Sequence, residues 1–295
     1  MQEHLINLDE CVVNALNLFI QNGLPEFPQI DFKRPLVVGS GNAAVTGRII
    51  FSDTDAVFAD ESDYQNKLAA VPGVDGAVII SASGGKHAPI IAKELKSRGL
   101  KIVLLTCTKD SAAGNIADTT VVFPKNPEPY TYNTSTYLGM ILAKTKEDPK
   151  NILAAVTELS KNLPNNLATY NAFYLLLPNQ YGALRDMFLT KFDELFGPHL
   201  VGRVYTPDET KHAKTIEASD DELFISLGYE NTLFGKNRLN IALPEGFGYA
   251  TLMAVGYYVI GQIQKANPPY FKENIERYVT EASKIFGEKL SVIVE

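Results

Sequence analysis

The chain has no tryptophan, and its 295 residues include only two cysteines, four histidines and four methionines. Cys11 and Cys107 supply neither a disulfide framework nor the paired spacing of a zinc site. Cys107 ends an apolar run, so a buried free thiol is expected there. The histidines and carboxylates show no paired ligand spacing, so no metal and no cofactor are expected. No stretch approaches the roughly 20 apolar residues that span a bilayer, which argues against a membrane partner. Met1-Gln2-Glu3-His4 lacks the basic start and apolar run of a signal peptide, and a reducing cytoplasm is the expected location. Positive charge is also short: 27 Lys and Arg stand against 34 Asp and Glu, a net −7. Nucleic-acid binders usually show a basic face, so no nucleic-acid partner is expected, although a local basic pocket remains open. At 45% hydrophobic content the chain can bury one large core or two of ordinary size.

The most informative segment is Ile79-Ile80-Ser81-Ala82-Ser83-Gly84-Gly85-Lys86-His87. An apolar strand (Gly76 to Ile80) runs into a hydroxyl- and glycine-rich turn, and a helix is expected from His87 to Arg98. The first N–H groups of a helix have no intrahelical partner and carry partial positive charge. Ser81, Ser83 and Lys86 beside such an end make an anion cradle, and a metabolite phosphate is the obvious small anion. Helix capping by serine alone also explains part of this pattern.

The rest of the chain alternates strand and helix. Strands are expected at 35–38, 56–58, 77–81, 101–106 and 119–123. Helices are expected at 3–22, up to Phe51, and at 63–70, 87–98, 111–117, 131–144 and 152–163. In the second half, strands fall at 172–177, 201–205, 222–228 and 239–243, with helices at 179–195 and 249–264. Such alternation predicts an α/β fold with two doubly wound, flavodoxin-like parallel-sheet domains, 1–160 and 161–295, and ligands outside the strands' carboxyl ends. Val121-Val122-Phe123-Pro124 before Tyr137-Leu138-Gly139-Met140 matches Ile241-Ala242-Leu243-Pro244 before Thr251-Leu252-Met253-Ala254. This suggests an internal duplication of about 130 residues, with 239–243 as the fifth-strand equivalent. The second half's strand taken to match the cradle ends in Leu177-Pro178-Asn179, with no hydroxyl-glycine turn.

At Ser81-Ala82-Ser83-Gly84 the sequence resembles the sugar isomerase (SIS) domain family of phosphosugar-binding proteins, whose members carry Ser-x-Ser-Gly-x-Thr after the third strand. Lys86 stands at the threonine position; lysine can still meet phosphate as a point charge. The resemblance implies that Gly41 and Asn42, in Gly39-Ser40-Gly41-Asn42, lie beside the sugar. It also implies that Asn133 and Thr134, in Thr131-Tyr132-Asn133-Thr134, close the pocket. Tandem domains of this length resemble the bifunctional phosphoglucose/phosphomannose isomerases and the isomerase half of glucosamine-6-phosphate synthase. That implies a homodimer with shared active sites.

The resemblance extends to acid and base groups. His212, in Glu209-Thr210-Lys211-His212, matches a histidine that assists ring opening and reaches the neighbouring subunit's pocket. Imidazole titrates near neutrality and can both give and take that proton. Glu194 is the candidate base between C1 and C2, with Asp193 as a neighbouring fallback. Lys289 stands one residue before the position of a tail lysine in the synthase, where this chain has Leu290. Tyr130 and Tyr132 could line a sugar pocket. The expected activity is a cofactor-free aldose–ketose isomerase acting on a hexose phosphate through an enediolate. The alternatives are a non-catalytic phosphosugar sensor and a related lyase or deglycase. The turn Gly39-x-Gly41 with Ala44 and Asp60 also fits a dinucleotide fingerprint loosely, but such a fold needs no second cradle at Ser81.

Overall fold

The structure, a computed structural model, describes residues 5–295. His4, the Met1–His4 segment and the first two positions of the expected helix 3–22 lie outside the described residues. Helix α1 spans Leu8–Asn22. It starts late because Asn7 is extended and donates its amide to the Glu10 carboxylate at 2.9 Å, capping the helix there.

The first half then alternates β1 (Pro35–Gly39), α2 (Asn42–Ile50), β2 (Val57–Ala59), α3 (Tyr64–Ala70), β3 (Gly76–Ile80), α4 (His87–Ser97), β4 (Ile102–Thr106) and β5 (Thr119–Val122). All five strands are parallel, in the order β2-β1-β3-β4-β5. Helices cover both faces, so the central strands read as continuous apolar runs. Val37, Val78 and Ile80 face the core that holds α2, whereas Leu36, Val38, Ala77 and Ile79 face the one that holds α4. Residues 111–117 form turns and no helix. The Ser111 hydroxyl accepts from the Gly114 amide at 3.1 Å, and Ala113 donates to the Gly84 carbonyl at 2.9 Å. The segment closes only two i→i+4 bonds, Asn115 to Ser111 at 3.1 Å and Ala117 to Ala113 at 3.0 Å, before the Asp118 amide turns to the Ile102 carbonyl at 3.0 Å and the chain enters the sheet.

A short strand, β6 (Glu128–Pro129), leads to α5 (Thr134–Thr145) and α6 (Pro149–Asn162). The second half holds β7 (Ala172–Leu176), α7 (Arg185–Phe196), β8 (Val201–Tyr205), α8 (Pro207–Thr210), β9 (Glu222–Leu227), β10 (Asn237–Ile241), α9 (Tyr249–Ala266), α10 (Tyr270–Phe286) and β11 (Ile293–Val294). Residues 179–184, expected as α-helix, form a 3-10 turn after Pro178. Helix α10 was not expected, although Phe271, Ile275, Val279 and Ala282 make one buried helical face.

The second sheet is parallel, in the order β10-β9-β7-β8. This repeats the first sheet's order with one edge strand fewer. Two expectations change. Strand β10 pairs directly with β9 and so holds the fourth place, not the fifth. The strand in the place of β3 is β9, which ends at Leu227-Gly228, and not β7 with its Leu177-Pro178 end. Neither strand carries a serine-glycine turn.

The two sheets lie within residues 35–122 and 172–241, and one hydrophobic core joins them through α1, α5 and α9. Helix α9 is apolar all round because it is buried on nearly every side. β11 pairs antiparallel with β6, which returns the C-terminal segment to the first half. No helix among the described residues is long and apolar enough to cross a membrane.

Candidate functional site

β1 and β3 are neighbours in the first sheet, yet α2 after β1 and α4 after β3 pack on opposite faces. The diverging chains leave a crevice at the strands' carboxyl ends, where open α/β sheets bind ligands. Here the crevice is a cleft of about 1020 Å³. Gly41, Asn42, Ser81, Ser83 and Lys86 line it from the first half. Asn133, Glu194 and Lys289 line it from α5, α7 and the C-terminal segment.

The Ser81 hydroxyl accepts from the Gly84 amide at 3.1 Å, and the Ser83 hydroxyl from the Gly85 amide at 3.2 Å. Each serine thus shapes the turn before α4 and neither caps the helix, whose N-cap is Lys86 with no side-chain bond. Each keeps an O–H free to donate to an anion. Gly84 has φ +62°, and a Cβ there would run into the Ser111 side chain. Lys86 precedes α4 at φ +53°, an uncommon conformation for a residue with a Cβ. Its ammonium donates to the Tyr130 hydroxyl at 2.7 Å and lies 4.9 and 4.6 Å from the ring centroids of Tyr130 and Phe286. That is cation–π geometry.

Asn42 opens α2 and donates its amide to the Tyr257 hydroxyl at 3.2 Å. Its buried Oδ1 has no partner among the described residues. Asn133 caps α5 in the left-handed conformation, its amide bonded to the Thr131 carbonyl at 3.3 Å. Thr134 departs from expectation: it is buried and does not reach the cleft. The Glu128 carboxylate accepts from the Thr134 and Ser135 amides at 2.5 and 2.7 Å, which draws the start of α5 inward. Thr131 faces the cleft instead. Burial pushes the Glu128 carboxyl above its usual range.

Glu194 reaches the first-half cleft from the second half. Its carboxylate is 2.6 Å from the Nζ of Lys191, which is wholly buried and donates to the Thr131 carbonyl at 2.6 Å. Lys191 therefore fixes both Glu194 and the 131 turn. Sequence reasoning gave it no role, although a lysine three residues before a candidate carboxylate on one helix is a readable pair. Asp193 is exposed and lies outside the cleft.

His212 is not brought into the cleft of its own chain. It stands exposed on the turn after α8, beside Lys211, which pairs with Asp208 at 2.7 Å. The histidine that lines the cleft is His87, the first residue of α4, edge-on to Phe286. Tyr130 lines the cleft, whereas Tyr132 is buried with its hydroxyl accepting from Gln264 at 2.8 Å. Tyr137 also faces the cleft, and burial raises its phenol, so it offers a neutral O–H. Cys107 is partly exposed outside the cleft; burial of its thiol pushes it up to about 11, which leaves it a poor nucleophile. The Asp60 carboxylate is turned onto Ser62, whose amide it accepts at 2.8 Å. No group of three or more His, Cys, Asp or Glu among the described residues is placed to hold a metal.

The second half has its own helix start at the carboxyl end of a sheet, that of α9. The Glu147 carboxylate fills it, accepting from the amides of Gly248, Ala250 and Thr251 at 2.9, 2.8 and 3.0 Å and from the Thr251 hydroxyl at 2.6 Å. An internal anion thus satisfies these donors.

Three solved structures place this architecture. Glucosamine-6-phosphate deaminase from Thermotoga maritima superposes with a TM-score of 0.65 at 15% identity, covering 87% of this chain and 92% of its own. Tagatose-6-phosphate ketose/aldose isomerase from Escherichia coli gives 0.61 at 13%, covering 90% and 91%. The C-terminal domain of glucosamine-fructose-6-phosphate aminotransferase from Francisella tularensis gives 0.59 at 13%, covering 90% and 94%. The chain has the fold of these proteins. No protein-family profile matches it, and no curated protein matches it by sequence.

Proposed function

We propose that the chain is a phosphosugar-binding SIS protein, with halves 1–160 and 161–295 as its domains, and that it isomerises a hexose phosphate between aldose and ketose. The observation that carries this reading is the meeting of Glu194, from the second half, with Ser81, Ser83 and Lys86 of the first half in one cleft. Phosphate accepts from the two serine hydroxyls and from Lys86 at the start of α4. Asn42 and Asn133 face the sugar. Glu194, held by Lys191, takes the proton from C2 and returns it to C1 through an enediolate. His212 stands outside its own cleft, so its ring-opening role requires a dimer in which it enters the other copy's cleft. Lys289, at the cleft mouth, contacts the bound ligand.

The functions named for the three structures, a deaminase, an isomerase and an aminotransferase acting on hexose 6-phosphates, support this substrate class. The test is solvent deuterium exchange at C2 across a panel of hexose phosphates. Wild-type protein should exchange one of them, and Glu194→Gln should lose about 10²–10⁴-fold in rate while still binding it. Absence of exchange with every hexose phosphate bound would leave the second reading, a phosphosugar sensor. The exposed position of His212, outside its own chain's cleft, favours that one.

A further inference from the structure

The space beside Gly85 in the cradle is taken by the protein itself. The two carboxylate oxygens of Glu288 lie 3.2 and 3.6 Å from the point a Gly85 Cβ would occupy, and the Ser83 hydroxyl lies 3.4 Å from the same point. Glu288 lines the cleft, is half-buried, and forms no ion pair among the described residues. A carboxylate therefore stands on the same side of Gly85 as the Ser83 hydroxyl, without a hydrogen bond to it, next to the place an anion held by Ser83 would take. The position is fixed from both sides. Upstream, the Phe286 ring lies 4.6 Å from the Lys86 ammonium. Downstream, the Leu290 amide donates to the Ser283 hydroxyl at 2.9 Å, and the Tyr130 amide donates to the Val292 carbonyl at 2.7 Å. Gly287, at φ +65°, makes the sharp turn between α10 and Glu288.

We propose that Glu288 is an internal competitor for the anion cradle, a specificity-determining residue that disfavours free inorganic phosphate. The inference rests on the reading of Ser81 to Lys86 as an anion cradle. Two negative charges within a few ångströms in a partly buried cleft repel, so an incoming phosphate must displace Glu288 or bind beside it at a cost. A phosphate ester brings further contacts with Asn42 and Thr131 that offset this cost. Inorganic phosphate brings none.

Glu288→Gln keeps the shape and removes the charge. Titration calorimetry with inorganic phosphate should show the variant binding about tenfold tighter than wild type. The gap should narrow in high salt. Adding Ser83→Ala to Glu288→Gln should abolish the gain, which places it in the cradle. In wild type, saturating phosphate should speed hydrogen exchange at residues 287–291 as Glu288 leaves. Equal phosphate affinity in wild type and Glu288→Gln, with binding still lost in Ser83→Ala, overturns the competitor and keeps the cradle. No phosphate binding by wild type or Glu288→Gln at millimolar concentration overturns the cradle and the competitor together. An unchanged melting temperature in Glu288→Gln separates the charge effect from a folding defect.

Discussion

Lys86 puts a cation where the Ser-x-Ser-Gly-x-Thr pattern has a neutral hydroxyl, and the structure shows what holds it. Its ammonium is bonded to Tyr130 and stacked against two rings, with no carboxylate partner among the described residues. Its charge is therefore available to a ligand. Lys86→Met should weaken binding of the phosphosugar by about 10–100-fold, the loss expected for one hydrogen bond to a charged group. Lys86→Thr should recover part of it; calorimetry on both variants is the check. The serines and Lys86 were readable because a hydroxyl-glycine turn between strand and helix is a local signal. Glu288 was not readable as a site residue, because its place depends on Gly85, 203 positions away in the chain. Lys191 was readable only as the neighbour of Glu194, since its bond to the Thr131 carbonyl spans 60 positions.

Two helix contacts decide how the second half is held. The start of α9 depends on Glu147, which accepts four hydrogen bonds from it. Glu147→Ala leaves those donors without a partner and should cost roughly 2 kcal/mol or more in urea unfolding, with Glu147→Gln losing less. Where α1 crosses α9, Asp9 is buried with Oδ1 unpartnered and Oδ2 accepting from Gln262 at 2.6 Å. Burial raises the Asp9 carboxyl, so the folded state holds its proton more tightly than the unfolded state. Its stabilising contribution is present below the usual aspartate pKa and is lost as pH rises through the folded value. Asp9→Asn, which does not titrate, should gain stability relative to wild type between pH 4 and 7; a constant gap in melting temperature would contradict this. Most elements were legible from apolar periodicity. The missing helix at 111–117 was not, because the pairing of Asp118 with the Ile102 carbonyl draws the chain into the sheet after two i→i+4 bonds. The place of β10 was also hidden, since a strand's neighbours are set by pairing and not by its own residues.

At the scale of the whole molecule, the cleft gathers groups from residue 39 to residue 295, and the proposed chemistry needs a second copy for His212. Glu194→Gln and His212→Ala homodimers should then each be inactive. Mixing them should restore about a quarter of wild-type activity, because half the dimers are mixed and each has one intact site. A mixture no more active than its parents, or protein that sediments only as monomer at micromolar concentration, would count against shared sites. The amino-acid sequence by itself determined the alternation of strand and helix, the parallel sheets that follow from it, and the hydroxyl-glycine turn at Ser81 to Lys86. Each of these rests on periodicity or on groups a few residues apart. Only the tertiary structure decided that Glu194 and Glu288 enter that turn's cleft, that Thr134 and His212 do not, and that Glu147 fills the start of α9. Those placements come from packing α1, α5 and α9 between two sheets and returning β11 to β6, and no local pattern encodes contacts across such distances.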